Sequence, residues 1–284
     1  MRVRLPAYSG TFYPSRRESL LKALSDSFLH KLGPGQLPSR DETKGRNAIG
    51  FLVPHAGYMY SGPIASHAYL KLAAEGCPKT VILLGPNHTG MGLPVAVFGE
   101  GVWRTPLGDV EVDSEIAREL VSLSGVAAFD YRAHIEEHSL EVQLPFLQYV
   151  CKEEFKIVPV TVLVQTFEIA HRLGDAIMKI REELNVDVVL IATSDLNHYE
   201  PHEISVEKDK IVLEEFLKPD PEGVFNVIEK YNISACGPIS LSTLAYIAKR
   251  LGAKPKLLAH ATSGDVTGER DFVVGYASAV VPLS

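Results

Sequence analysis

Val189-Leu-Ile-Ala-Thr-Ser-Asp-Leu-Asn-His198 is the stretch that indicates the fold, because an uninterrupted apolar run passes directly into polar residues. The segments Phe51-Leu-Val-Pro-His55 and Val81-Ile-Leu-Leu-Gly-Pro-Asn-His88 repeat this arrangement, and each ends in a histidine. Short runs rich in β-branched residues predict strands that are buried on both faces, which is typical of parallel sheets.

On either side of these three segments, apolar runs of strand length alternate with helical patterns along most of the chain. Strands are predicted at residues 49–53, 80–84, 94–98, 157–163, 186–192, 257–260 and 272–281. Helices are predicted at residues 15–32, 63–74, 113–124, 139–150, 167–184, 203–217, 222–229 and 239–251. This alternation predicts an α/β fold with a mostly parallel central sheet and flanking helices. Residues 94–112, which contain Gly99-Glu-Gly101, predict an inserted hairpin.

Length and composition limit the classes of protein to consider. We expect residues 1–284 to form a single domain, with the N-terminal helix and the loop up to residue 47 packed on it. Hydrophobic residues make up 46% and charged residues 22%, which excludes a disordered chain. The net charge of −7, without a block of Lys or Arg, disfavours nucleic-acid binding. No apolar run is long enough to span a membrane.

The three cysteines, Cys77, Cys151 and Cys236, lie far apart, which predicts neither a disulfide framework nor a zinc ribbon. A reducing cytoplasm is the simplest compartment for such a protein. We expect Cys77 and Cys151 to be buried and chemically inert. Cys236 precedes a helix that Pro238 can begin, and we expect the helix N-terminus to lower the thiol pKa and favour the thiolate.

The histidines that end the three strand segments are the first candidates for a functional site. In open parallel sheets the carboxyl ends of the strands share one edge, where ligands bind, so His55, His88 and His198 can converge there. Imidazole is a common metal ligand and a base that works near neutral pH. Each histidine could instead be a turn residue bonded to backbone. Asp195 either orients a ligand histidine, binds the metal directly or forms an Asx turn.

Residues 134–138, His-Ile-Glu-Glu-His, form a second cluster that matches an inverted zinc-protease motif. The motif requires both histidines on one helical turn. Ser139 and the apolar pattern after it predict instead that a helix begins there, which would place His138 at its N-terminus and aim it into a cleft. His134, Glu136 and Glu137 are then expected in a solvated polar loop.

Several blocks of sequence, in this order, resemble the Memo family, named from mediator of cell motility, in its archaeal or bacterial branch. The resemblance covers nearly the whole chain. The blocks are Ala7-Tyr-Ser-Gly-Thr-Phe-Tyr-Pro14, Pro54-His-Ala-Gly-Tyr-Met-Tyr-Ser-Gly62, Leu84-Gly-Pro-Asn-His88, Glu137-His-Ser-Leu-Glu-Val-Gln-Leu-Pro145, Ser194-Asp-Leu-Asn-His198 and Cys236-Gly-Pro238.

The resemblance implies a fold similar to that of class III extradiol dioxygenases, in which two histidines and a glutamate hold Fe(II). By this resemblance, His55 and His88 match the two histidine ligands, and Cys236 falls where the glutamate would be. His198 matches the acid/base histidine of those enzymes, and Asp195 and His138 match other polar groups that line the pocket. A thiolate is a softer ligand than a carboxylate, which shifts the preference toward copper or zinc.

Three functions remain open on the sequence. The first is a redox-active metalloprotein, oxygenase-like on a small molecule, that uses iron(II) or copper (or zinc) at His55, His88 and Cys236. The second is a metal-independent enzyme with a Cys236–His198 nucleophile–base pair. The third is a non-catalytic module that binds a peptide or metabolite. Zinc hydrolysis through His134 and His138 is a fourth and more distant alternative.

Further expectations concern cofactors and partners. No Gly-x-Gly-x-x-Gly or Walker motif is present, which disfavours nucleotide cofactors. We expect a small-molecule or peptide ligand, no nucleic-acid or membrane partner, and association into a homo-oligomer.

Overall fold

The computed structural model describes residues 2–39, 45–151 and 153–283. The predicted loop at 33–47 therefore lies partly outside the described residues. The strands are β1 (Val3–Arg4), β2 (Ala48–Val53), β3 (Thr80–Pro86), β4 (Val95–Val97), β5 (Val102–Thr105), β6 (Gly108–Val112), β7 (Ala128–Phe129), β8 (Lys156–Val162), β9 (Val188–Thr193), β10 (His198–Glu200), β11 (Lys256–Thr262) and β12 (Val273–Pro282). The helices are α1 (Arg17–Leu29), α2 (Tyr58–Glu75), α3 (Ser114–Ser124), α4 (Arg132–Ile135), α5 (Gln143–Val150), α6 (Phe167–Leu184), α7 (His202–Leu217), α8 (Pro221–Lys230), α9 (Pro238–Leu251) and α10 (Ser263–Thr267).

Four parallel strands form the centre of the sheet in the order β8-β3-β9-β2. Strand β9 lies between β2 and β3, although it follows both in the chain. Beyond β2 the sheet becomes antiparallel, because β12 pairs with β2, and β11 and β10 pair with β12. The predicted α/β architecture with flanking helices is confirmed, whereas the sheet is parallel at its centre and mixed at its margins.

The central strands are buried on both faces, as their continuous apolar runs predict. Leu52, Ile82 and Leu190 face a core built with α3, α6, α7, α8 and α9. Phe51 and Leu83, which point the other way, face a second core built with α1, α2 and α5. Within the described ranges, no helix has both the length and the apolar character needed to cross a bilayer.

Some element boundaries differ from the sequence predictions. Helix α2 begins five residues before Pro63, because the Tyr58 amide donates to the carbonyl of Phe12 and the first turn forms on Gly57. Helix α5 begins at Gln143 rather than at Ser139, since residues 138–142 form turns instead. The predicted hairpin is present as β5 and β6, but β4 leaves it to pair with β7 and β8.

The N-terminal segment is held on the sheet by one buried carboxylate. Glu141 accepts hydrogen bonds from the Ala7 and Tyr8 amides, both at 2.9 Å, and from the Tyr13 hydroxyl at 2.6 Å. The Arg4 guanidinium forms an ion pair with the same carboxylate, and both side chains are almost fully buried. Four donors therefore compensate the cost of burying this charge.

The structure overturns the prediction for two of the cysteines. Cys77 and Cys151 form a disulfide, rather than remaining separate inert thiols. Cys77 follows the C-terminus of α2 and Cys151 follows the C-terminus of α5, and these two helices pack side by side on one face of the sheet. The two cysteines lie 74 positions apart in the sequence, and only the packing of the two helices brings them together.

We predict that removing this disulfide lowers stability substantially. A covalent loop of this length restricts the unfolded chain by about 4 kcal/mol on the loop-entropy model. The Cys77→Ala/Cys151→Ala double variant should lose a free energy of unfolding of that order in guanidinium titrations under oxidising conditions. Cys236→Ala is the matched control for loss of a thiol. Equal unfolding midpoints for the double variant and the wild type would contradict the prediction.

Candidate metal site

The site lies at the carboxyl edge of the central sheet, where three adjacent strands end. His55 follows β2 by two residues, His88 follows β3 by two, and Asp195 follows β9 by two. Because β9 lies between β2 and β3, these three strand ends meet at one place. Cys236 reaches the same place from the loop before α9, and its amide donates to the carbonyl of Asp195 at 3.3 Å.

Three donor atoms converge in the resulting crevice. Nε2 of His55 lies 3.1 Å from Sγ of Cys236. Ligand atoms of His55, His88 and Cys236 all lie within 4.8 Å of one another. Two bonds of about 2.0–2.3 Å to a shared ion place their donor atoms no more than about 4.6 Å apart. Small side-chain adjustments therefore allow these three residues to hold one metal ion.

His55 is buried and oriented by two hydrogen bonds. Its Nδ1 lies 2.8 Å from Oγ1 of Thr193, and its backbone amide donates to Oδ1 of Asp195 at 2.8 Å. Burial, reinforced by the charge of His88, lowers the pKa of His55 well below its usual range. The ring is therefore neutral at physiological pH, as a metal ligand must be.

His88 is oriented by Glu137. Oε1 of this carboxylate lies 2.9 Å from Nδ1 of His88, and Oε2 accepts the backbone amide of His88. Burial alone would raise the pKa of Glu137, but hydrogen bonds from His88 and Ser139 and the charges of His88 and His138 lower it to about 2. The prediction of a solvated loop was therefore wrong for Glu137, which is a buried carboxylate. Because it binds Nδ1 of His88, the Nε2 atom of that ring points away from Glu137.

The Cys236 thiol does not have the lowered pKa that the sequence predicts. Burial and the nearby Asp195 carboxylate raise its pKa, and the hydrogen bonds from the Asp195 amide and Ser194 only partly offset them. The Asp195 amide lies 3.2 Å from Sγ. Burial also raises the pKa of Asp195 itself. Loss of hydration thus outweighs the helix N-terminus at this position, and the thiol is neutral without a metal.

His138 forms another wall of the crevice. Its ring centroid lies 4.5 Å from that of His88 and 5.4 Å from that of His55. On its other side, Phe12 and Tyr8 of the N-terminal segment contact it at centroid distances of 4.6 and 5.2 Å. Burial, followed by the charge of His55, lowers its pKa to about 3.

His88, Glu137 and His138 form a second cluster with metal-ligand spacing. Both oxygens of the Glu137 carboxylate already accept hydrogen bonds, from His88 and from the amide of Ser139. We therefore interpret Glu137 as a residue that orients His88 for the His55–His88–Cys236 site, rather than as a ligand of a second metal ion.

His198 is held beside the Cys236 loop. Its amide donates to Oγ of Ser234 at 2.7 Å, and its Nδ1 lies 2.8 Å from the carbonyl of Ser234. A carbonyl only accepts, so Nδ1 carries a proton, and in the neutral ring Nε2 has the free lone pair.

His134 does not join either donor group in the described structure. It is fully buried, and its ring packs against Phe98 and Trp103, each at a centroid distance of 5.7 Å. It lies in the short helix α4, whereas His138 lies beyond that helix. The prediction of a solvated His134 and the zinc-protease alternative are therefore wrong, because the motif spans a helix end and its first histidine belongs to the core.

Sequence reasoning assigned no role to Thr193 and Ser234, and it misjudged Glu137. All three orient a histidine of the crevice through Nδ1. A signal existed for Thr193, which is the first polar residue after an apolar run, and for Glu137, which stands beside His138. Nothing local marked Ser234, because its contact joins the loop before α9 to the start of β10, 36 positions away.

Comparisons with known proteins agree with the resemblance on which the site was predicted. The family model described as "Memo-like protein" matches residues 4–280. A MEMO1 family protein of Aeropyrum pernix is 54% identical over 97% of this chain and 98% of its own length. A MEMO1 family protein of Sulfurisphaera tokodaii is 50% identical over 97% of this chain and 98% of its own length.

A solved structure supports the fold. The crystal structure of the uncharacterized protein JW3007 of Escherichia coli K12 superposes with a TM-score of 0.54, covering 80% of this chain and 98% of that one. The two sequences are only 12% identical, so this likeness concerns the fold alone.

The burial of His134 predicts acid-sensitive stability. Burial and the charge of Arg4 lower its pKa to about 3 from an ordinary value of 6.5. The folded state therefore binds fewer protons than the unfolded state between these values, and this group removes about 1.4 kcal/mol of stability per pH unit as the pH falls from about 6.5 to 3.

His134→Phe should flatten the pH dependence of the free energy of unfolding, measured with urea at pH 7, 5 and 4. His171→Gln, at a side chain that is 44% exposed, is the control and should leave the dependence unchanged. Parallel profiles for His134→Phe and the wild type would contradict the assignment.

Proposed function

The chain belongs to the Memo-like family, and from this premise we propose that it is a metal-binding redox protein that acts on a small molecule at the His55–His88–Cys236 crevice. The proposed metal is iron(II) or copper. The observation that carries the proposal is the convergence of two imidazoles and a thiol from three separate segments onto one point.

The donor chemistry of the crevice supports a transition metal. Nδ1 of His55 and Nδ1 of His88 both contact neighbouring oxygen atoms, which leaves the Nε2 atoms available as ligands. Neutral imidazole and thiolate suit copper, zinc and iron(II) better than magnesium or calcium. Because the Cys236 pKa is raised, its proton must leave when a metal binds, and the affinity should therefore increase with pH.

The chain's own residues define how the crevice would work. A bound metal would supply Lewis-acid and redox chemistry. His198 keeps a free Nε2 with which it can take up or return a proton at the ligand. Asp195 joins the His55 and Cys236 segments through its carboxylate and its amide. The ring of His138, which contacts Phe12, lines the crevice on the side of the N-terminal segment.

The test is anaerobic purification followed by metal quantification and chelator competition. We expect the wild-type protein to bind close to one equivalent of iron(II) or copper. His55→Ala and Cys236→Ser should each weaken the affinity by at least about tenfold, because each removes one donor. His171→Gln, which changes an exposed histidine far from the crevice in sequence, should bind as the wild type does. Unchanged affinities in both crevice variants would refute the proposal.

The metal-independent alternative requires an activated Cys236 thiolate. With Cys77 and Cys151 in a disulfide, Cys236 is the free cysteine, so alkylation reports on it alone. We predict that iodoacetamide modifies the metal-free protein at pH 7.5 at least about tenfold more slowly than it modifies free cysteine, because the raised pKa and burial reduce the accessible thiolate. Fast, stoichiometric alkylation would instead favour the Cys236–His198 pair.

A non-catalytic binding module is the second candidate, and one observation favours it. Tyr199, directly after His198, is 71% exposed and adopts the left-handed backbone conformation at φ 60°. A strained, solvent-facing aromatic residue beside the crevice is suited to contact a peptide or metabolite. Ligand binding that survives both EDTA and the His198→Ala change would support this candidate.

A further inference from the structure

We propose that Thr193 is a positioning residue that fixes the tautomer of His55, so that the proton sits on Nδ1 and the Nε2 lone pair faces Cys236. The consequence for metal affinity rests on the proposed function. The tautomer itself belongs to the metal-free protein and can be tested there.

The Thr193 hydroxyl has one proton and two acceptor positions. Its Oγ1 lies 2.9 Å from the carbonyl oxygen of Val53, which can only accept. The hydroxyl proton is therefore committed to Val53, and Oγ1 must accept from any other partner. Nδ1 of His55, 2.8 Å away, is such a partner and must carry the proton.

Gln143 supports the same direction of donation. Its Oε1 accepts from the Tyr69 hydroxyl at 2.7 Å, and its Nε2 faces the carbonyls of Pro54 and Ser139 at 3.0 and 3.1 Å. The two carbonyls can only accept, and they therefore fix the orientation of the amide. Its Nε2 also lies 3.2 Å from Oγ1 of Thr193, where one of its two N–H groups can be shared between Thr193 and a carbonyl.

Burial allows these hydrogen bonds to determine the tautomer of His55. His55, Thr193, Gln143 and Tyr69 are each no more than 1% exposed, so water does not exchange freely with these partners. A neutral imidazole has a single N–H, and the hydrogen bond at one nitrogen decides which atom is free. A proton on Nε2 would lie between His55 and Sγ of Cys236, 3.1 Å away, where a metal needs a lone pair.

Two variants at residue 193 separate the hydroxyl from the shape of the side chain. Thr193→Val keeps the volume and branching but cannot accept from Nδ1. Thr193→Ser keeps the hydroxyl and loses only a methyl group. We expect Thr193→Val to weaken metal affinity about 10–100-fold, the usual cost of losing an orienting partner, and Thr193→Ser to stay within about threefold of the wild type.

The direct readout is the tautomer of His55, measured in metal-free protein by long-range ¹⁵N–¹H correlation with labelled histidine. The His55 signals are assigned from their loss in His55→Gln. We expect the Nδ1–H form in the wild type and in Thr193→Ser, and a shift toward the Nε2–H form in Thr193→Val. The signals of His88, which is oriented by Glu137, serve as the internal control and should not change.

The outcomes distinguish this proposal from the proposed function. An Nε2–H tautomer of His55 in the wild type overturns the proposed role of Thr193. This measurement needs no variant, so the proposed role can be tested even if Thr193→Val does not fold. An unchanged tautomer in folded Thr193→Val also overturns it. If the tautomer shifts as expected but the wild type binds no metal, the role of Thr193 stands and the proposed function fails.

Discussion

The structure depends on one constraint, the insertion of β9 between β2 and β3 in a parallel arrangement. Parallel strands send their carboxyl ends to the same edge, so the residues after these three strands must share a small volume. His55, His88 and Asp195 lie there because each follows its strand by two residues. In the sequence these groups lie 33 and 107 positions apart, and the strand order is what brings them together.

Convergence alone does not make the donor atoms usable, because each imidazole must also be oriented by a neighbouring oxygen atom. A threonine hydroxyl, a glutamate carboxylate and a serine carbonyl each engage the Nδ1 atom of one histidine. The result is the same in all three cases, since Nε2 remains available to bind a metal ion or to exchange a proton. Glu141 acts one step further from the site. It holds the N-terminal segment in place, and Phe12 of that segment packs on His138.

Burial decides the electrostatics of the crevice. It keeps His55 and His138 neutral, and at Cys236 it outweighs the helix N-terminus from which a lowered thiol pKa was expected. The sequence correctly predicted that Cys236 precedes a helix. The residue types of a loop do not determine how deeply the loop is buried, and burial is what raises the pKa of this thiol. The same limitation explains why Glu137 and His134 were expected in solvent, although the first is a buried anion and the second is a core residue.

The sequence by itself determined the α/β class, the strands that carry His55 and His88, and the family, because strand periodicity and short motifs are local properties of the chain. Only the tertiary structure decided the antiparallel margin of the sheet, the Cys77–Cys151 disulfide and the partners of each imidazole. The disulfide, the pairing of β12 with β2 and the contacts of the three imidazoles join residues that lie 36 to 234 positions apart. Contacts at such separations arise from how helices and strands pack, and no pattern within a short window of residues encodes them.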